Sequence, residues 1–253
     1  YRRMCMFINR DYDKHYNVKR IHRIMKIKNI HSTIRRTRTC CTVANKADQT
    51  AANILHREFE ASKPNEKWTT DVTEFKVPHT TDKLYLSAFM DLYDRSIIAW
   101  AISKRNDNAL VFDTFEQAIK NNPGAHPLFH SDRGYQYTSP IFQSKLKEQG
   151  MEQSMSRVAC CLDNGPTEGL WEIIKTEMYQ MYEIHDKEDL IEAIGKYIDF
   201  YNNRRYQSRF DSKTPMEVRN EALGNESPNQ YPIAFNPRIS KYKESLKNKA
   251  QSA

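Results

Sequence analysis

Three carboxylates in this sequence stand where side chains could hold a hard metal ion: Asp71, Asp132 and Glu168. Asp71 falls inside the run WTTDVTEF, whose Thr- and Val-rich alternation reads as a β-strand, an element that disfavours Asp. Asp132 follows a different short apolar strand, in HSDRG. Glu168 sits in the first turn of a helix that follows Asp163, Asn164, Gly165 and Pro166, where Asn or Asp can cap and Pro can start the helix. Singly, each has an ordinary explanation: an Asp in a turn, or a Glu favouring the helix dipole. Together, two strand carboxylates and one helix carboxylate can converge on a small volume. Magnesium suits such an oxygen site, keeping its other positions for water and phosphate oxygens. Two ions about 3.5–4 Å apart would clamp the attacking and leaving oxygens of an in-line displacement at phosphorus. They would also neutralise clustered charge that otherwise drives one carboxyl to take a proton.

The helix carrying Glu168 has apolar residues at helical spacing, Leu170, Ile174, Met178 and Met181, which are predicted to bury one side. Lys175 comes seven residues after Glu168 and returns to nearly the same polar face two turns later. There it could hold a DNA phosphate or base, or stand as a solvated surface lysine.

The elements that must position these groups form a mixed α/β order. Strands are expected over 69–77, in KLYLSAFMDLYD and in SIIAWAIS, the three joined by short turns as an antiparallel meander. A helix over 108–120, the strand PLFHS, a helix over 140–148 and the strand MEQSMS follow. Helices over 166–182 and 187–203 complete the series β-β-β-α-β-α-β-α-α.

The rest of the chain frames this core. Its 253 residues carry a net charge of +7, with 39% hydrophobic and 28% charged residues, which fits a folded protein with a polyanionic partner. No apolar run reaches the roughly 20 residues needed to span a bilayer, and no secretory signal is evident, so a cytoplasmic, nucleoid-associated place is expected. The chain begins at Tyr1 rather than Met, which leaves room for an upstream segment. Residues 1–46 are intensely basic and show two helical patterns, one through Met4, Met6, Phe7 and Ile8, the other through Val18, Ile21, Ile24, Met25 and Ile27 with Asn17 as N-cap. They read as a small all-α, helix-turn-helix-like module touching DNA, or as two solvated amphipathic helices. His15, His22, Cys40 and Cys41 could suggest zinc, but adjacent cysteines cannot both reach one tetrahedral ion easily, and reduced thiols are the better reading. Residues 47–66 read as a linker, 67–224 as the catalytic core, and 225–253, with Pro228, Pro232 and Pro237, as a poorly ordered tail.

The motifs WTTDVTEF, FHSDRGYQYTS, SMSRVACCLDNGPTEGLWEIIKTE, YIDFYNNRRYQ and KTPMEVRNEAL occur in that order, with 35 residues between Asp132 and Glu168. In these the chain resembles the IS-three family of bacterial insertion-sequence transposases, whose second reading frame has a retroviral-integrase-like core. The resemblance implies a ribonuclease-H-like mixed five-stranded sheet flanked by helices. It implies that Asp71, Asp132 and Glu168 are catalytic metal ligands for two Mg2+ ions, with Mn2+ able to substitute. It makes Lys175 a donor-DNA contact, and places Arg133 and Asn164 beside the same DNA. Arg20, Arg23, Arg35 and Arg36 are the candidate contacts of the basic N-terminal stretch. The implied activity is phosphodiester hydrolysis and strand transfer at element ends, on double-stranded DNA carrying terminal repeats and on target DNA. Implied partners are further copies of the chain on DNA and a separate upstream-frame helix-turn-helix protein. Where relatives have Gly and often Asn before Asp163, this chain has Val158, Ala159, Cys160 and Cys161, and Gln207 stands where many have His. A catalytically inactive DNA-binding remnant is therefore the alternative, and a structure-selective nuclease of the same fold a third reading.

Overall fold

The computed structural model describes residues 1–32, 51–157 and 160–251. Two helices open the chain, α1 (Arg2–Asp11) and α2 (Val18–Ile27). The core then runs β1 (Lys67–Lys76), β2 (Lys83–Asp91), β3 (Ile97–Ser103), α3 (Asn108–Asn121), β4 (Leu128–Ser131), α4 (Tyr135–Thr138), α5 (Pro140–Glu148) and β5 (Glu152–Met155). It ends with α6 (Gly165–Met181), α7 (Lys187–Asn203), α8 (Pro215–Leu223) and α9 (Pro237–Gln251).

The five strands form one sheet in the order β3-β2-β1-β4-β5. β1, β2 and β3 are the expected antiparallel meander, and β4 and β5 add on parallel to β1. Helices cover both faces, because strand alternation sends apolar side chains to each. On one face Phe75, Leu86, Ala88 and Met90 pack with Leu170, Ile174 and Met178 of α6 and with Leu190, Ile194, Tyr197 and Ile198 of α7. On the other, Trp68, Phe89 and Phe129 pack with Val111 and Phe115 of α3 and with Phe142 and Leu146 of α5. Met181, expected to join the first of these faces, is 46% exposed, since it is the last residue of α6 and has run past the sheet.

The amino-terminal helices follow the sequence reading, and Asn17 caps α2 by accepting a hydrogen bond from Lys19 N at 2.8 Å. Cys5, Ile21 and Met25 make a small core between the two. Yet α1 is docked rather than free. Phe7 stacks near Phe200 and Tyr206, Arg3 pairs with Glu177 of α6 at 2.7 Å, and Arg10 pairs with Glu217 of α8 at 2.6 Å. Part of the basic charge of this region thus meets protein carboxylates. Arg35, Arg36, Cys40 and Cys41 lie outside the described residues.

The tail departs from expectation: its last part is the 15-residue helix α9. Proline at its first position is compatible with a helix start. Tyr242 of α9 lies between two guanidinium groups, 4.4 Å from Arg57 and 3.9 Å from Arg157, and Lys243 approaches Glu58.

Candidate active site

Asp71 and Asp132 are brought together by strand register. The parallel pairing of β1 and β4 includes the rung Thr69–His130, and each Asp lies two residues beyond it on its own chain. Side chains two residues apart share a face, so both carboxylates emerge on the same side of the sheet. Asp71 takes a hydrogen bond from Val72 N at 2.8 Å on one oxygen and from Trp171 Nε1 at 3.0 Å on the other. Asp132 receives Gly134 N at 2.8 Å.

The face of β1 that carries Asp71 is the one that α6 crosses. Four α6 side chains at intervals of four residues bond successive positions along β1. The Thr167 hydroxyl is 2.9 Å from that of Thr69, Trp171 reaches Asp71, Lys175 Nζ donates to Thr73 Oγ1 at 2.6 Å, and Tyr179 OH donates to Lys76 O at 2.6 Å. Over the first three rungs, which are two strand residues apart, the spacing matches physically: four helical residues rise about 6 Å, and two strand residues advance about 6.6 Å. The last rung reaches the Lys76 backbone, three residues on. This ladder holds the first turn of α6 beside the first half of β1, with Glu168 near enough for its charge to act on Asp71.

The electrostatics of the three acids are those of a site short of positive charge. Burial, and then the charge of Asp132, push Asp71 up to about 7 against its two hydrogen bonds, and Glu168 adds a smaller push. Burial raises Asp132 as well, and partial desolvation raises Glu168, whose side chain is otherwise exposed. Elsewhere in the core, carboxylates have cations: Asp163 has Arg57 and Arg157, Glu177 has Arg205, and Asp91 and Asp94 have Arg219. Among the described residues, no such ion pair is made by Asp71, Asp132 or Glu168. No three His, Cys, Asp or Glu side chains among the described residues are gathered closely enough to hold a metal as they stand. The donor set nonetheless fits a divalent cation, being carboxylate oxygen throughout and in need of charge compensation.

The other expected residues fall in different places. Lys175 is half-buried, with its ammonium on Thr73 and over the Phe75 ring at 5.2 Å. Arg133, next to Asp132, donates from Nε to Ser156 O at 2.8 Å. Asn164 is 4% exposed, with its amide donating to Thr70 O at 3.1 Å, so it braces the start of α6 against β1. Its side chain does not cap the helix. Arg20 and Arg23 are exposed on α2, with Arg20 over the Tyr16 ring.

Sequence reasoning missed two groups. Trp171 stands beside the aliphatic stripe of α6 and one turn from Glu168, and helical spacing gives no sign of its bond to Asp71. Asp163, read as a possible cap, is fully buried and takes hydrogen bonds from Arg57, Arg157 and Asn53. Burial alone would raise its carboxyl, but Arg157 and Arg57 hold it well below the usual range. It fixes the 3-10 turn Cys161–Asn164 that leads into α6.

A mixed sheet in this order, helices on both faces and acids at the β1, β4 and α6 positions define the class: a ribonuclease-H-like integrase core. Two integrase core domain families match the chain, one over residues 61–161 and the other over 168–232. The HTLV-2 integrase catalytic core domain, solved in complex with magnesium in a trimeric form, shares the fold with a TM-score of 0.50, at 22% identity over 62% of this chain and 97% of that one. A simian T-cell lymphotropic virus intasome in complex with PP2A regulatory subunit B56 gamma gives a TM-score of 0.58, at 17% identity over 91% of this chain and 80% of that one. Among curated relatives, the chain is 39% identical over 222 residues to the putative transposase InsK for insertion sequence element IS150 of Escherichia coli K12, covering 87% of this chain and 77% of that one. It is 36% identical to an uncharacterized transposase-like protein of Haemophilus influenzae, covering 82% and 94%. The chain belongs to the IS-three family of insertion-sequence transposases, and it is a DNA transposase, a polynucleotidyl transferase. Nothing among these relatives favours an inactive remnant.

Proposed function

We propose that Asp71, Asp132 and Glu168 are the catalytic acids of this transposase and that they hold two divalent ions, Mg2+ or Mn2+, during hydrolysis and strand transfer at element ends. The observation that carries this reading is the placement of Asp71 and Asp132 two residues beyond one shared rung, crowded and without a cation partner among the described residues. When bound, such ions would polarise the scissile phosphate and favour the deprotonated form of the attacking water or 3′-hydroxyl. The magnesium named with the HTLV-2 core supports the choice of ion. The chain supplies position: β1 and β4 fix two carboxylates, the α6 ladder fixes the third, and the sheet and helices beneath exclude bulk water from one side.

Lys175 lies on the same helix as Glu168 and two β1 positions along from Asp71, where its ammonium can exchange Thr73 for a DNA phosphate. Arg133 stands next to Asp132 and serves the same strand. Arg20 and Arg23 on α2, with Arg35 and Arg36, form the second DNA contact. The domain division 1–46, 47–66, 67–224 and 225–253 assigns end recognition to the first part and chemistry to the third. Synapsis of two ends requires at least two copies on DNA, and an upstream-frame helix-turn-helix protein is the proposed further partner. The test is a strand-transfer assay with Mg2+ or Mn2+ on duplexes carrying the terminal repeats. Joined products that vanish in D71N, D132N and E168Q support the reading. Cleavage without joining marks a nuclease, and binding without either product marks a remnant.

A further inference from the structure

The indole of Trp171 touches a candidate metal ligand through a hydrogen bond, and its role is not accounted for by packing alone. The ring is 6% exposed and sits in the apolar cluster with Leu170 and Ile174, a place that phenylalanine would fill. A buried indole N–H needs an acceptor, and here the acceptor is Asp71 Oδ2 at 3.0 Å. The other Asp71 oxygen takes Val72 N, so the carboxylate is held at both oxygens in one orientation while each keeps a free lone pair. Trp171 also lies three residues after Glu168, on the same side of the helix. The indole hydrogen bond therefore helps to orient the first carboxylate and is the rung that joins it directly to the helix carrying the third.

We infer that Trp171 is a positioning residue, whose indole N–H orients Asp71 and couples it to Glu168 so that the two can share a cation. Aspartate is free to rotate about two side-chain bonds, and Asp132 repels it. Without the indole donor the carboxylate would turn away from its neighbour, and binding a cation would first have to turn it back. The inference rests on the proposed metal-holding role of the acids. Partners of metal ligands of this kind typically change metal affinity by 10–100-fold when removed.

The test uses the whole chain and Mn2+ alone, with free Mn2+ read by its paramagnetic resonance signal. W171F keeps the ring and removes the donor. It is expected to weaken Mn2+ binding about tenfold or more, to melt near the wild-type temperature, and to lower the strand-transfer rate more than it raises the KM for DNA. In a D71N background the same substitution should change Mn2+ affinity by less than about twofold, because the two act as one unit. Wild-type affinity in W171F, or an equal loss in both backgrounds, would overturn the inference while leaving the metal reading intact. Failure of the wild-type chain to bind Mn2+ would sink both together. A second measurement needs no variant that folds differently: the chain has 3 Trp. Substoichiometric Mn2+ should broaden one indole N–H resonance of the wild type, that of Trp171, far ahead of the other two, and uniform broadening would count against the role.

Discussion

Arg205 grips Glu177 with two parallel hydrogen bonds, Nε and Nη2 each 2.8 Å from a different carboxylate oxygen. Tyr197 and Arg3 add bonds of 2.6 and 2.7 Å, so one carboxylate joins α6, α7, the segment after α7 and α1. Burial alone would raise this carboxyl, but Arg205, Tyr197 and Arg3 more than offset that and hold it at about 2. A carboxylate whose folded pKa is depressed contributes stability that is complete above its unfolded value near 4.3 and is lost as pH falls towards the folded one. Unfolding by urea should therefore show a loss on the order of 2 kcal/mol, discounted for partial exposure, between about pH 5 and pH 2. E177Q should flatten that part of the profile.

The proposed catalytic acids predict the opposite sign. In chelator at pH 8, Asp71 and Asp132 confront each other charged or share a proton at a cost, so D71N should raise the melting temperature by a few degrees. Saturating Mg2+ should then stabilise the wild type, by about 2.7 kcal/mol at a concentration a hundred times its dissociation constant, and should do much less for D71N. Scanning calorimetry in both buffers is the measurement. A lower melting temperature for D71N in chelator would contradict the electrostatic account.

Arg219 of α8 carries a different load. It bonds Asp91 at 3.1 Å, Asp94 at 2.8 Å and Asn65 at 2.6 Å, and also Asn122, all beneath the β2–β3 turn. Removing one member of a buried ion set leaves uncompensated charge, typically costing 3–5 kcal/mol. R219M should lose about that much in denaturant titration, whereas the triple change R219M, D91N, D94N should recover a substantial part.

Tyr242 predicts a local effect. Its ring, close to Arg57 and Arg157, ties α9 to the body together with Ile239 on the core, and both arginines also hold Asp163. Y242A should speed amide hydrogen exchange throughout α9 and, to a smaller extent, in the turn before α6. The sheet should keep its protection.

Binding to DNA predicts a charge count. If Arg20 and Arg23 each neutralise a phosphate, the double Ala variant should lower the slope of log affinity against log salt by about 1.8. An unchanged slope would remove α2 from the DNA interface.

Much of the sheet and the start of α6 was legible in the sequence because strand and helix periodicities are local. The β1–β2–β3 meander and the first turn of α6 follow from patterns a few residues long, whereas the three acids stand out only through the order and spacing of whole motifs. What the sequence reading left out depends on pairs far apart. The shared Thr69–His130 rung is a matter of register between β1 and β4, which 60 residues of intervening chain conceal. Asn164 looked like a side-chain cap, yet its amide donates to the Thr70 carbonyl, 94 residues away, and its Oδ1 takes the Thr167 hydroxyl instead of a backbone N–H. The basic surface of α1 looked free, and Glu177 and Glu217, more than 170 residues away, take up part of it. The tail looked disordered from its prolines, but Tyr242 finds two guanidinium planes that no local pattern announces.

The matched rise of α6 and β1 makes this stretch of chain a vernier. Inserting or deleting one residue between Glu168 and Tyr179 would turn everything downstream by about 100°, and the rungs beyond that point would all miss together. A substitution here costs one rung, whereas a change in the number of residues costs all of those beyond it, because a ruler built into the backbone sets the count.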